Sequence, residues 1–182
     1  MRFKSFLIIF AVQKNKLKEL ILEKTRELFL TIGFKSVTMD HIANAMGISK
    51  KTIYNFFENK TDLVKSVTNY MFKSITGGIT EIKKTSEDPI SELYDINLFL
   101  IKYLKKESTS PLYQLEKYYP LIHKDINNKQ FDFITKSTRE SLENGIKLGL
   151  FRHDIKIDFI EYYLRAIVTE KGLKKLNQFI KK

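Results

Sequence analysis

The stretch from Thr38 to Lys60, TMDHIANAMGISKKTIYNFFENK, leaves this chain little freedom in how it folds. Thr38 is a good helix N-cap, and Ile42, Ala43 and Met46 follow at helical spacing on one face. Gly47 stands where that helix has to stop, because glycine takes a left-handed backbone at little cost. Ile48 then drops into the core and Ser49 caps a second short helix. Ile53, Phe56 and Phe57 turn inward or toward its end, while Lys50, Lys51, Thr52, Tyr54 and Asn55 occupy the other face. A short helix with cations, hydroxyls and an amide near its N-terminus fits a DNA major groove, with phosphates gripped at the edges.

The surrounding segment, Ile21 to Leu63, resembles the DNA-binding domain of the tetracycline-repressor (TetR) family. The matching positions are Leu28-Phe29, Gly33-Phe34, Val37-Thr38, Ile42-Ala43, Gly47-Ile48-Ser49, Thr52-Ile53-Tyr54, Phe57, Lys60 and Leu63, all in one register. The resemblance implies an all-α fold, with an N-terminal three-helix helix-turn-helix domain and a C-terminal helical domain that dimerises and senses a small molecule. It implies a cytoplasmic regulator, usually a repressor, that binds a palindromic double-stranded DNA operator as a homodimer, with no enzymatic activity. By the family pattern, Thr38, Thr52, Tyr54 and Lys60 fall at phosphate contacts. Lys50, Lys51 and Asn55 are the base-reading candidates, lysine suiting guanine acceptors and asparagine suiting adenine. Many relatives carry a histidine that touches phosphate where Phe56 stands, and a phenyl ring cannot donate a hydrogen bond. The alternative expectation is a helical interaction protein of the same fold that has lost DNA binding or dimerisation.

Composition narrows the rest. With 43% apolar and 29% charged residues over 182 positions, the chain has enough material for one or two packed domains. Three prolines, seven glycines and helix-period apolar patterns throughout argue for helices alone. The absence of cysteine removes disulfides, thiolate metal sites and cysteine nucleophiles. His41, His123 and His153 are scattered without metal-ligand spacing, and neither a glycine-rich phosphate loop nor a nucleophile elbow is present. No catalytic residue, cofactor or metal is therefore expected. The net charge is +11, and residues 1–75 hold thirteen Lys/Arg against six Asp/Glu, so the cationic excess is denser at the end carrying the groove-fitting helix.

In order, the chain divides into an N-terminal extension at 1–13, the helix-turn-helix domain at 14–60, and the ligand-sensing and dimerisation domain at 61–182. The extension has Arg2 and Lys4 ahead of the apolar run Phe6 to Val12, which is far short of the roughly 20 residues that span a bilayer, so no membrane partner is expected. It reads as a start assigned too far upstream or as extra helix packed on the first helix, ahead of a third reading as an export signal, for which Ala11-Val12-Gln13 is a poor cleavage site. Lys14 to Ile32 forms that helix, with Leu17, Leu20, Ile21, Leu28, Phe29 and Ile32 as its stripe. Lys14, Lys16 and Lys18 at its start read as solvated, or as able to reach phosphate. Thr61-Asp62 opens the next helix, carrying Leu63, Val64, Val67, Tyr70 and Met71 inward, and Gly77-Gly78 reads as its hinge or its end. Asp88-Pro89 starts a helix through Ile90, Leu93, Ile96, Leu100 and Leu104; Ser108 to Pro111 starts another; Pro120 begins a third that stops near Gly149. Ile157 to Val168 and Lys171 to Lys182 read as a last helix and a short basic tail. Relatives usually end with two full-length helices that pair with the partner subunit, whereas only 28 residues follow Asp154, so a dimer interface that is small, rebuilt or partly lost is expected. Aromatic residues, among them Phe99, Tyr113, Tyr118 and Tyr119, read either as core or as the lining of an effector pocket.

Overall fold

The computed structural model describes residues 2–104 and 111–160. Seven long or short helices follow one another there: α1 (Arg2–Thr31), α2 (Met39–Met46), α3 (Lys50–Tyr54), α4 (Lys60–Thr85), α5 (Pro89–Leu104), α6 (Pro111–Tyr118) and α7 (Pro120–Lys147). No strand occurs among the described residues, so the fold is all-α as expected. The chain forms two compact units, one made of Met1–Ser74 with Leu104–Ile126, the other of Ile75–Tyr103 with Asn127–Lys182.

The first unit is organised by a core to which α1, α2, α3 and the start of α4 all contribute. Ile21, Phe29, Phe34, Val37, Ile42, Ile53, Phe57, Leu63, Val64 and Val67 are essentially fully buried in it. Leu115 of α6 and Ile126 of α7 complete the same cluster. Phe34 folds back after Gly33 and stacks on Phe29 with ring centroids 4.5 Å apart. The residues ahead of Lys14 are not a separate segment. They are the first part of α1, because nothing between Arg2 and Thr31 is a proline or glycine that would stop it. The buried face of α1 also differs from the expected stripe. Ile21, Leu22, Thr25, Phe29 and Leu30 point inward, whereas Leu20 and Ile32 are 48% and 46% exposed. Thr25 sits on the buried face, and this polar residue hides the stripe from a reading by apolar spacing alone.

The second unit holds the latter part of α4. That helix runs through Gly77 and Gly78 without a break, so the pair is not its end. Gly78 has another reason to lack a side chain: a Cβ there would lie 2.4 Å from the ring of Phe99 on α5. Asp88 caps α5, its Oδ1 accepting from the N–H groups of Ile90 at 2.7 Å and Ser91 at 3.1 Å. The helix is turned so that Ile90 and Leu93 are exposed and Glu92 is buried, contrary to the expected stripe. Glu92 tolerates burial because it has partners. Ser141 Oγ donates to it, and Lys83 Nζ lies 3.8 Å away. Lys83 also donates to the Ser137 carbonyl and to Glu140, each at 3.0 Å, so the buried charges belong to one hydrogen-bonded network. Gly149 takes φ 72° just beyond α7, and the ring of Phe151 fills the space beside Gly145. Helix resumes at 157–160. Most of the expected last helix, the basic tail and the Ser108 to Ser110 cap lie outside the described residues.

Candidate nucleic-acid interface

Local chemistry fixes the two helices of the interface before any packing is considered. Thr38 Oγ1 accepts from the His41 N–H at 3.2 Å and starts α2. Gly47 takes φ 64°, and the Ile48 N–H returns to the Ala43 carbonyl at 3.0 Å, which closes α2 and reverses the chain. Ser49 Oγ accepts from the Thr52 N–H at 3.1 Å and starts α3. Burial of Ile53 and Phe57 then pins α3 to the core by one side. What remains outward is a short surface of Lys50, Lys51, Tyr54 and Asn55, with Tyr54 48% exposed and Thr52 half-buried beside them.

The members of this surface are not equivalent. Lys50 Nζ sits 3.0 Å from the Asp40 carboxylate, and that hydrogen-bonded ion pair raises the lysine above its ordinary pKa. Its charge is therefore shared across the turn between α2 and α3. Lys51 is exposed and has no ion-pair partner among the described residues. The Thr52 hydroxyl lies 2.9 Å from that of Ser49. Asn55 forms the C-cap of α3, its N–H donating to the Lys51 carbonyl at 3.0 Å.

Thr38 and Lys60 flank this surface, and each already makes an intramolecular bond. The Thr38 oxygen is spent on its cap. Lys60 opens α4 and its Nζ donates to the Lys35 carbonyl at 3.1 Å, while burial holds its pKa below the usual lysine range. The Lys35 backbone is held at its other end as well, since its N–H donates to Gln114 Oε1 of α6 at 3.4 Å. The Lys35 ammonium lies 5.3 Å from the ring of Tyr118. Three contributors were missed in the sequence: Asp40, Gln114 and Asn59. Asn59 Oδ1 accepts from the Asp62 N–H at 2.9 Å, and Asp62 in turn accepts from the Glu58 N–H at 3.1 Å. The Asn-x-x-Asp spacing was a readable capping signal; the other two had none.

Other chemistry is not assembled. Among the described residues no group of three or more His, Asp or Glu side chains is placed to hold a metal. Nor is any helix there long and apolar enough to cross a membrane. Of the aromatic residues considered for an effector pocket, Tyr113 and Tyr118 are exposed beside Lys117, and Tyr119 packs on the core of the first unit.

Residues 21–67, which run from the buried half of α1 into α4, match the family model described as bacterial regulatory proteins, tetR family. Residues 21–67 thus carry a DNA-binding domain of the TetR type. The chain is 28% identical over 138 residues to the HTH-type transcriptional regulator YhgD of Bacillus subtilis, covering 74% of this chain and 72% of that one. It is 24% identical over 152 residues to the HTH-type transcriptional repressor KstR2 of Mycolicibacterium smegmatis, covering 80% and 72%. A solved TetR-family regulator from Cytophaga hutchinsonii superimposes with a TM-score of 0.69 at 17% identity, over 93% of this chain and 87% of that one, which shows the shared fold.

Proposed function

We propose that this chain is a one-component transcriptional regulator that binds operator DNA through α3 and releases it when a small molecule binds the other unit. The observation that carries the reading is the outward face of α3. It is capped at Ser49, pinned by Ile53 and Phe57, and offers Lys51, Tyr54 and Asn55 to solvent with Lys50 alongside. Lys51 and Asn55 read base edges, while Thr52, Tyr54 and Lys60 hold phosphates, with Thr38 at the start of α2. A homodimer in the cytoplasm sets two such helices about 34–36 Å apart on a palindromic operator, one turn of DNA. A ligand that prefers a different spacing shifts the population away from the bound form. Repression is the expected sign, and no catalysis is part of this reading.

The test is recovery of genomic DNA on the purified chain, sequencing of the enriched fragments, and titration of the recovered duplex by fluorescence anisotropy. Lys51→Ala and Tyr54→Ala should each weaken binding at least tenfold. A site-specific footprint indifferent to both changes would overturn the assignment to α3. Light scattering on the same sample reads the oligomeric state, and a monomer that captures no DNA would favour a helical interaction protein instead.

A further inference from the structure

We infer that the cleft between α1 and α3 is a second seat for the DNA backbone, and that Lys14 is its phosphate-binding cation. The inference rests on the α3 reading above and extends the interface to a helix outside the helix-turn-helix pair. Gln13, Lys14 and Leu17 of α1 line one wall of the cleft, and Thr52, Asn55 and Phe56 at the end of α3 line the other. Its volume is about 490 Å³, enough for a phosphate and part of its sugar.

The lining divides by chemistry. Leu17 and Phe56, both half-buried against the core, make an apolar floor. Around them stand four side chains that can donate hydrogen bonds: the amides of Gln13 and Asn55, the ammonium of Lys14 and the hydroxyl of Thr52. Among the described residues no carboxylate lines the cleft. Lys14 Nζ lies 5.9 Å from the centre of the Phe56 ring, and among the described residues it has no ion-pair partner. Phe56 cannot itself donate to a phosphate, but its face holds a cation above the end of α3.

The stretch of α1 beside the cleft is cationic in sequence. Residues 11–18 contain Lys14, Lys16 and Lys18 and no acidic residue. Asp40, on α2, is paired with Lys50. A small apolar ligand would leave the donors unpaired, and a metal ion would find no carboxylate. A phosphodiester satisfies the donors and the charge together, with its sugar against the floor. Thr52 and Asn55 border both this cleft and the outward face of α3, so a strand followed by α3 continues onto α1.

The test is the salt dependence of binding to the recovered duplex, read by anisotropy across a series of KCl concentrations. Lys14→Ala removes one phosphate contact and should lower the slope of log K against log salt by about 0.9 per protomer. Lys14→Arg should restore the wild-type slope, and Gln13→Ala should weaken binding while leaving the slope unchanged, because it removes a neutral donor. Lys124→Ala, the same loss of charge at an exposed position of α7, should change neither. Circular dichroism melts confirm that each variant is folded. A wild-type slope for Lys14→Ala, or an equal fall for Lys124→Ala, would overturn the cleft. If Lys51→Ala and Tyr54→Ala still weaken binding at least tenfold in that case, α3 remains the reading helix and only the second seat is lost. If the wild-type chain binds no duplex, both fall together.

Discussion

Lys50 and Lys51 are neighbours with the same side chain, yet they are prepared for DNA differently. Lys51 is exposed without an ion-pair partner among the described residues, whereas Lys50 must leave Asp40 before it can meet a base or a phosphate. An exposed ion pair is weak and screened by salt, so the cost of leaving is small but present. Asp40→Asn removes both the competing carboxylate and a negative charge near the operator. It should tighten binding about threefold at low salt, with the gain shrinking as salt rises, as anisotropy titrations would show. No change would mean that Lys50 stays clear of the DNA. The paired face of α3 was legible from Ser49 to Asn55 because caps and a left-handed glycine are local signals. Asp40, ten residues before Lys50, and Gln114, 79 residues after Lys35, were not legible, since their roles exist only once the chain has folded.

Helices obey the same division between local and distant causes. Asp88-Pro89, Gly47 and Pro120 set boundaries that the structure keeps, because each acts through its own backbone. Gly77-Gly78 looked like an interruption of α4 and is not one, because Phe99, the reason for Gly78, lies on another helix. The pair therefore separates two effects of the same substitution. Gly77 faces open space, so Gly77→Ala should stabilise the protein by about 1 kcal/mol through helix propensity. Gly78→Ala gains the same propensity but drives a methyl into the Phe99 ring, and should destabilise by about 1–3 kcal/mol. Urea denaturation of both variants reads the difference, and equal shifts would mean that α4 and α5 do not pack at this point. At the start of α5, the Ser91 hydroxyl, followed by the Ser91 and Ile90 N–H groups, holds the Asp88 carboxyl below its ordinary pKa. A carboxyl whose folded pKa is depressed stabilises fully above its unfolded value, near pH 4, and loses that contribution as pH falls through the folded value. Asp88→Asn should therefore flatten part of the acid limb of stability, followed by ellipticity between about pH 5 and pH 2. An unchanged acid limb would mean that the cap carries no pH dependence.

At the scale of the whole molecule, two compact units account for the described residues, and the first is assembled from two separate stretches of sequence. Leu115 and Ile126 are as buried as the residues of α2 and α3, and Gln114 occupies the space beside Gly33 that any larger residue would need. A polypeptide ending at Ser74 would carry every residue proposed to touch DNA and still lack part of its own interior. Such a fragment should melt at least 10 °C below the same unit in the full chain, as calorimetry would record, because deleting buried Leu or Ile side chains costs about 2–5 kcal/mol each. The Lys35 backbone, held by Lys60 through its carbonyl and by Gln114 through its N–H, makes the same point at atomic resolution. Anyone transplanting this reading head onto a foreign sensor would have to carry 104–126 along with it, since the graft is otherwise cut through living tissue.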